Sequence, residues 1–284
     1  MLLEVRNLEV GFESELGYTK AVNDVSFSLE NNKTLCIVGE SGSGKSVTSL
    51  SIMRLLDKEA RIKRGEILFN GTNLLSLKES GMRNIRGSQI AMIFQEPMTS
   101  LNPSLTIGYQ IDEALKLHQP NLSKKARALK VIESLEMVGI KEPEKRVKEY
   151  AFKLSGGQRQ RIMIAMAMVC KPQLLIADEP TTALDVTIQA QVIELMKDLQ
   201  RANNMAILFI THDLGVVSNI ADDVIVMYKG QIVESGGVKE VLKDPRHPYT
   251  KALMGSIPKE GERKTRLEFV DENINYLEFK KEIR

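Results

Sequence analysis

The 284-residue chain has little of what marks several protein classes. It holds two cysteines, Cys36 and Cys170, too few for a disulfide framework or for a zinc or iron–sulfur site built from cysteine alone. Both lie in apolar runs, so two buried free thiols in a reducing compartment are expected. Net charge is also scarce: 39 Lys and Arg against 37 Asp and Glu leave +2, which excludes a whole-protein field for gripping nucleic acid. The longest apolar run, residues 162–170, spans nine residues, whereas a helix crossing a bilayer needs about 20. The opening MLLEVRNLEV alternates like a strand and lacks the basic start and apolar core of a signal peptide. A cytosolic protein that meets a membrane only through a partner is the expectation. Internal repeats and low-complexity tracts are missing as well.

What is present is ordinary for a globular protein, 43% hydrophobic and 27% charged residues. The length fits two domains, or one with an insertion, and is enough to bury a core that needs no disulfide staples. Residues 2–10 and 21–29 read as alternating strands, 34–38 as a buried strand, and 67–69 and 90–95 as further strands. A helix pattern runs from the end of GESGSGKS to Leu56. Between Glu96 and Leu154 the spacing turns helical, at 107–117 and 124–138, and reads as an insertion. Afterwards a helix (156–170), a strand (174–178), a helix (187–202) and a strand (206–211) alternate, and 223–233 reads as a hairpin about Lys229-Gly230. Such alternation predicts an α/β fold with a mainly parallel sheet. The last 27 residues, 258–284, carry 14 charged side chains together with Leu267, Phe269, Tyr276, Leu277 and Phe279, a pattern open to disorder or to a small docked element.

Three stations carry chemistry. Gly39-Glu40-Ser41-Gly42-Ser43-Gly44-Lys45-Ser46 fills every fixed position of G-x-x-x-x-G-K-[ST] between a strand and a helix. Its glycines let backbone N–H groups wrap phosphate, Lys45 reaches the β- and γ-phosphates, and the Ser46 hydroxyl can ligate Mg²⁺. The apolar strand 174–177 ends in Asp178 and Glu179. Asp178 is suited to hold Mg²⁺ through water, and Glu179, pointing differently because strand side chains alternate, to deprotonate a water attacking the γ-phosphate. Leu154-Ser155-Gly156-Gly157-Gln158 then starts a helix with Ser155 as N-cap. Read alone, it is either an ordinary capped helix or a second anion site closing on a nucleotide, its own chain's or a neighbour's.

With these residues the chain resembles the ATP-binding-cassette (ABC) ATPases across about residues 2–258. LSGGQ followed by Arg159-Gln160-Arg161 is similar to the family signature, Asp178-Glu179-Pro180 to its metal and base segment, and Ala183-Leu184-Asp185 to its D-loop. Gln95 matches the Q-loop, His212 the switch histidine, and Phe12 the aromatic that stacks on adenine, with Tyr18 a rival for that stack. The resemblance implies a P-loop NTPase fold of the ABC type. It would have a RecA-like, mainly parallel core with an antiparallel β subdomain (1–95 and 155–257), an inserted helical subdomain (96–154) and a charged tail (258–284). It implies ATP and Mg²⁺ as ligands, with Phe12, Gly39 to Ser46 and Val47 on the nucleotide and Ser46, Gln95 and Asp178 at the metal. Glu179, His212 and Gln95 would act in hydrolysis. Ser155, Gly157, Gln158 and Asp185 would face the nucleotide of a second, head-to-tail subunit.

Two segments resemble the oligopeptide/dipeptide/nickel import branch: Phe94-Gln95-Glu96-Pro97-Met98-Thr99-Ser100-Leu101-Asn102-Pro103 and Arg246-His247-Pro248-Tyr249-Thr250-Lys251-Ala252-Leu253. That branch implies an ATPase on the cytoplasmic face of the cell membrane, paired with a second, different ATPase chain beneath two permeases, with an external substrate-binding protein. Met98, Leu101 and Leu105 are candidates for the permease contact. Many members bind an iron–sulfur cluster through C-terminal cysteines; this tail has none, so no cluster is expected. Peptide, nickel chelate and other small solutes remain open as cargo. Three other readings fit less well. A ribosome- or DNA-acting ABC ATPase is disfavoured by the single cassette and near-neutral charge. A non-hydrolysing scaffold is disfavoured by Glu179 and His212, and a kinase or GTPase leaves LSGGQ unexplained.

Overall fold

Leu3, Val5, Leu8 and Val10 are buried, with more accessible side chains between them, the alternation of a strand with one covered face. In the computed structural model this strand, β1 (Leu3–Ser14), pairs antiparallel with β2 (Gly17–Leu29). The structure describes residues 1–14, 17–95, 100–182, 184–256, 270–271 and 274–282. The spacing slips between Val5 and Leu8 at an irregularity of the ladder. There Asn7 and Asp24 take left-handed backbone (φ 46° and 58°), and Asn7 Nδ2 donates to Asp24 Oδ1 at 2.9 Å. The hairpin is longer than the sequence pattern predicts because residues 11–14 and 17–20 hold too few apolar side chains, Phe12 and Tyr18, to show an alternation.

The chain forms two compact units, Met1–Ser76 with Leu208–Arg284, and Leu77–Ile207. In the first, β3 (Thr34–Val38) is wholly buried, and α1 (Lys45–Met53) follows the glycine-rich loop. The helix stops short of Leu56 because Arg54 turns left-handed at φ 50°. β4 (Ala60–Phe69) and β5 (Thr72–Asn73) complete an antiparallel sheet of order β2-β1-β4-β5. β4 begins seven residues before the expected Ile67; Arg61, Lys63 and Arg64 hide its strand character, and pairing with β1 imposes it.

The second unit holds α2 (Glu79–Ile85), β6 (Ile90–Ile93), α3 (Ile107–His118), α4 (Lys124–Met137), the short α5 (Pro143–Arg146), α6 (Gly156–Met168), β7 (Leu174–Asp178) and α7 (Val186–Asn203). β6 and β7 run parallel in the register Ile90↔Leu174 to Ile93↔Ala177. β7 is buried along its whole length, as a strand covered on both faces must be. Inward-facing Ile107, Ile111, Leu115, Val131, Leu135, Ile162 and Ile164 form the helical core. Cys170 is half-buried here rather than sealed, whereas Cys36 on β3 is fully buried, which raises its thiol pKa; both are free. His118 is half-buried as well, not a surface side chain, and desolvation lowers its pKa.

β8 (Ala206–Thr211) starts in the second unit and finishes in the first. There α8 (Leu214–Ile220), β9 (Asp223–Tyr228), β10 (Gln231–Gly237), α9 (Val238–Lys243) and α10 (Pro248–Gly255) follow. The strand order in this unit is β10-β9-β3-β8, with β3 parallel to β9 and β9 antiparallel to β10. The expected hairpin at Lys229-Gly230 is present; both residues have positive φ (43° and 77°), as a two-residue mirror-image turn demands. A 3₁₀ helix, Tyr276–Glu282, ends the described chain. Among the described residues, no helix is long and apolar enough to cross a membrane.

Candidate active site

The first unit carries the glycine-rich loop between β3 and α1. Gly39, Gly42 and Gly44 have φ of 149°, 76° and 102°, conformations that side chains resist. A Cβ on Gly39 would lie 2.2 Å from the Met227 carbonyl oxygen and 2.8 Å from Ser43 Oγ, so no other residue fits. Lys45 is buried, and its ammonium donates to the carbonyls of Gly39 (2.8 Å) and Glu40 (2.9 Å), curling the loop around its own cation. Ser43 Oγ is buried without a hydrogen-bond partner among the described residues. α1 receives no side-chain cap from Gly44. A buried cation, an orphaned hydroxyl and a helix start without a side-chain cap together are a ready cradle for a polyanion. Ser46 and Val47 lie half-buried on the first turn.

Elsewhere in this unit, Phe12 is half-buried on β1, opposite Thr19 on β2 and Ala60 on β4. Its rival Tyr18 is exposed, but its ring lies over Gly11, where a Cβ would meet it at 2.4 Å, and Lys63 Nζ sits 5.1 Å from its centroid. His212 is exposed just past β8, and the following Asp213 caps α8 through the N–H groups of Gly215 and Val216.

The second unit holds the carboxylates. Asp178 is buried at the end of β7. Glu179 does not gain its direction from strand alternation, as the sequence suggests. The strand has ended, and Glu179 adopts left-handed backbone at φ 47°. Its Oε2 accepts hydrogen bonds from Gln95 Nε2 and from Thr182 Oγ1, each at 3.0 Å. Gln95 and Glu179 are 84 positions apart in the chain and are brought into direct contact. Thr182 is a partner that the motifs do not mark; its only sequence signal is its place three residues after Glu179 in a turn opened by Pro180.

Ser155 forms a capping box at the head of α6: its Oγ accepts from the Gln158 N–H at 3.3 Å, and Gln158 Oε1 accepts from the Ser155 N–H at 3.1 Å. Ser155 is exposed, and accepting leaves its own O–H to donate outward. Gly157 faces α7, where a Cβ would meet Ile188 Cγ2 at 3.0 Å. Asp185 caps α7 by accepting from the Ile188 N–H at 2.9 Å. The start of α6 at Gly157 thus lies close to the start of α7 at Ile188, whose N–H Asp185 holds. Of the permease candidates, Leu101 is buried and offers no contact surface, because it packs into the core; Leu105 is half-buried. Glu96, Pro97, Met98, Thr99 and Ala183 lie outside the described residues, as do Leu267 and Phe269 of the tail.

A phosphate cradle after a buried strand, an anchored carboxylate after another and a capped glycine-rich helix together define a nucleotide-hydrolysing cassette of the P-loop class. Residues 22–182 match the family described as ABC transporter, and residues 233–280 match the oligopeptide/dipeptide transporter C-terminal region. The chain belongs to the ABC transporter family, in its oligopeptide/dipeptide branch, and is an ATPase that binds nucleotide as a transporter subunit. It is 57% identical over 258 residues to the oligopeptide transport ATP-binding protein OppD of Bacillus subtilis, covering 90% of this chain and 72% of that one. It is 52% identical over 267 residues to the dipeptide transport ATP-binding protein DppD of Haemophilus influenzae, covering 94% and 81%. A dimeric ATP-binding cassette solved in a post-hydrolysis state with ADP and Pi matches with a TM-score of 0.74 at 25% identity, over 83% of this chain and 98% of that one.

Proposed function

We propose that this chain powers peptide import by hydrolysing ATP at a cradle formed by Gly39, Glu40, Ser41, Gly42, Ser43, Gly44, Lys45, Ser46 and Val47, with Phe12 stacking on adenine. The single observation that carries the hydrolytic part is the Glu179 carboxylate, anchored through one oxygen by Gln95 and Thr182. A carboxylate pinned in this way can orient a water and take its proton as the γ-phosphate is attacked. Gln95 reports the state of the γ-phosphate to the permease side, and His212 donates to that phosphate. The oxygen donors Ser46 and Asp178 suit Mg²⁺, which prefers hard ligands and few protein contacts and supplies charge neutralisation on the phosphates. No cluster is expected in a tail without cysteine.

In this reading, residues 1–95 and 155–257 are the nucleotide-binding core and 96–154 the helical subdomain facing a permease. Ser155, Gly157, Gln158 and Asp185 complete the nucleotide site of a second ATPase chain. That second chain is a different polypeptide, the pair sits on the cytoplasmic face of the membrane beneath two permeases, and an external binding protein delivers the cargo. Peptide is favoured over nickel because OppD and DppD are peptide transport proteins by name. The test is Glu179→Gln in the assembled transporter. Nucleotide binding should persist while turnover falls about 1,000-fold. Full turnover in that variant would remove Glu179 as the base.

A further inference from the structure

We propose that Tyr249 is a positioning residue for the phosphate loop and that the docked tail holds its pose through Tyr276. The proposal rests on the reading of residues 39–47 as the nucleotide cradle. Tyr249 lies 209 positions after Glu40, on α10, and is completely buried. Its hydroxyl accepts from the Glu40 backbone N–H at 3.1 Å and meets Glu40 Oε2 at 3.4 Å. The Glu40 carbonyl accepts from Lys45 Nζ at 2.9 Å. One residue of the loop is therefore held on one side by the cation that meets phosphate and on the other by a phenol from the C-terminal region. Burial pushes the phenol pKa up, so it stays protonated and can donate to the Glu40 carboxylate.

The base and the ring of Tyr249 are both fixed. The buried Glu234 carboxylate accepts from the N–H groups of Arg246 (2.7 Å) and His247 (3.1 Å), and His247 Nδ1 accepts from the Tyr249 N–H at 3.2 Å. These bonds set the start of α10. The ring packs against Tyr228 (4.5 Å between centroids) and Tyr276 (5.5 Å), and Tyr228 and Tyr276 are themselves 5.4 Å apart. Tyr276, on the terminal 3₁₀ helix, is 3% exposed. Tyr228 leads into the turn whose Gly230 N–H donates to the Ser43 carbonyl at 3.0 Å, a second grip on the same loop. Val270 of the tail lines a cavity of about 350 Å³ with Glu40, Ser41, Gly42 and Ser43. The aromatic trio thus joins the tail to the loop, and the only polar contact from its rings to the loop is the Tyr249 hydroxyl, among the described residues.

Tyr249→Phe keeps the ring and removes that contact, leaving the Glu40 N–H without its acceptor. Binding of a fluorescent ATP analogue to the 284-residue chain should weaken about five- to tenfold. In the assembled transporter KM for ATP should rise by the same factor with kcat within about twofold, because the loss bears on binding before chemistry. Tyr276→Leu keeps an apolar filler but frees the ring, and should weaken binding about two- to threefold. A Tyr249→Phe chain with unchanged affinity and KM and only a lower Tm would reduce the hydroxyl to packing and overturn the proposal. A loss confined to kcat would overturn it too. Should Tyr249→Phe fail to fold, unchanged affinity in Tyr276→Leu would overturn it equally. A separate arm tests the cradle: if Lys45→Ala binds the analogue as tightly as the parent chain, the cradle reading fails whatever Tyr249 does.

Discussion

Two helix starts in this chain are rich in glycine and suited to anions, yet they are built by opposite means. At α1 the glycines sit outside the helix in left-handed conformations, the N-cap provides no side chain, and a buried lysine closes the loop on itself. At α6 the glycines are the first helical residues and the N-cap serine is exposed and closed by a capping box. The first start forgoes a side-chain cap and wraps its backbone around a cation, so it can bind a triphosphate from within its own unit. The second has already satisfied its N-cap locally and offers one hydroxyl and a helix dipole at a surface. In the function proposed above it is half of a site whose other half a partner brings.

Substitutions can break this contrast. Lys45→Ala should weaken nucleotide binding to the isolated chain about 100-fold, the loss of a charged donor that no other side chain of the loop replaces. Calorimetric titration with ATP would read it, and a change under about threefold would mean that the loop backbone alone makes the cradle. Gly39→Ala should cost about 2 kcal/mol of stability, because its Cβ would meet the Met227 carbonyl at 2.2 Å. Urea unfolding measures this, and a neutral outcome would show that β9 yields easily. Ser155→Ala should cost about 1 kcal/mol for the lost cap. The same variant should leave nucleotide affinity of the isolated chain unchanged while lowering turnover of the assembled transporter about tenfold. Weaker binding in the isolated chain would make Ser155 part of its own chain's site and erase the contrast. Gly156→Ala should stay within about 0.5 kcal/mol of the parent, since nothing lies within 4 Å of the added Cβ and alanine favours the helix. A large loss there would mean that this start, too, needs a bare backbone.

The stations of the site are legible because each is written locally: the loop motif between an apolar run and a helix, the acid pair after an apolar strand, the serine ahead of a helix. Their order along the chain also announces the alternating fold and the turn at Lys229-Gly230. Legibility fails where no local pattern exists. The charged start of β4 becomes a strand only through pairing with β1. Alternation along β7 points to a strand conformation at Glu179, but the strand has ended there and the backbone is left-handed. Leu101 has the pattern of a partner contact and is instead buried. Thr182 lies in no motif, and the segment 246–253 that marks the branch gives no sign that its Tyr249 meets Glu40; each matters through a partner that folding brings to it.

The sequence by itself determined where the glycine-rich loop turns, which lysine it encloses and which serine caps the helix after Leu154, because glycine freedom, cation placement and capping act within a few residues. Only the tertiary structure decided that the Glu179 carboxylate is held by Gln95 and that the C-terminal Tyr249 reaches the phosphate loop. Those hydrogen bonds link residues 84 and 209 positions apart. Contacts of that span depend on how strands and helices pack, which no short stretch of sequence encodes.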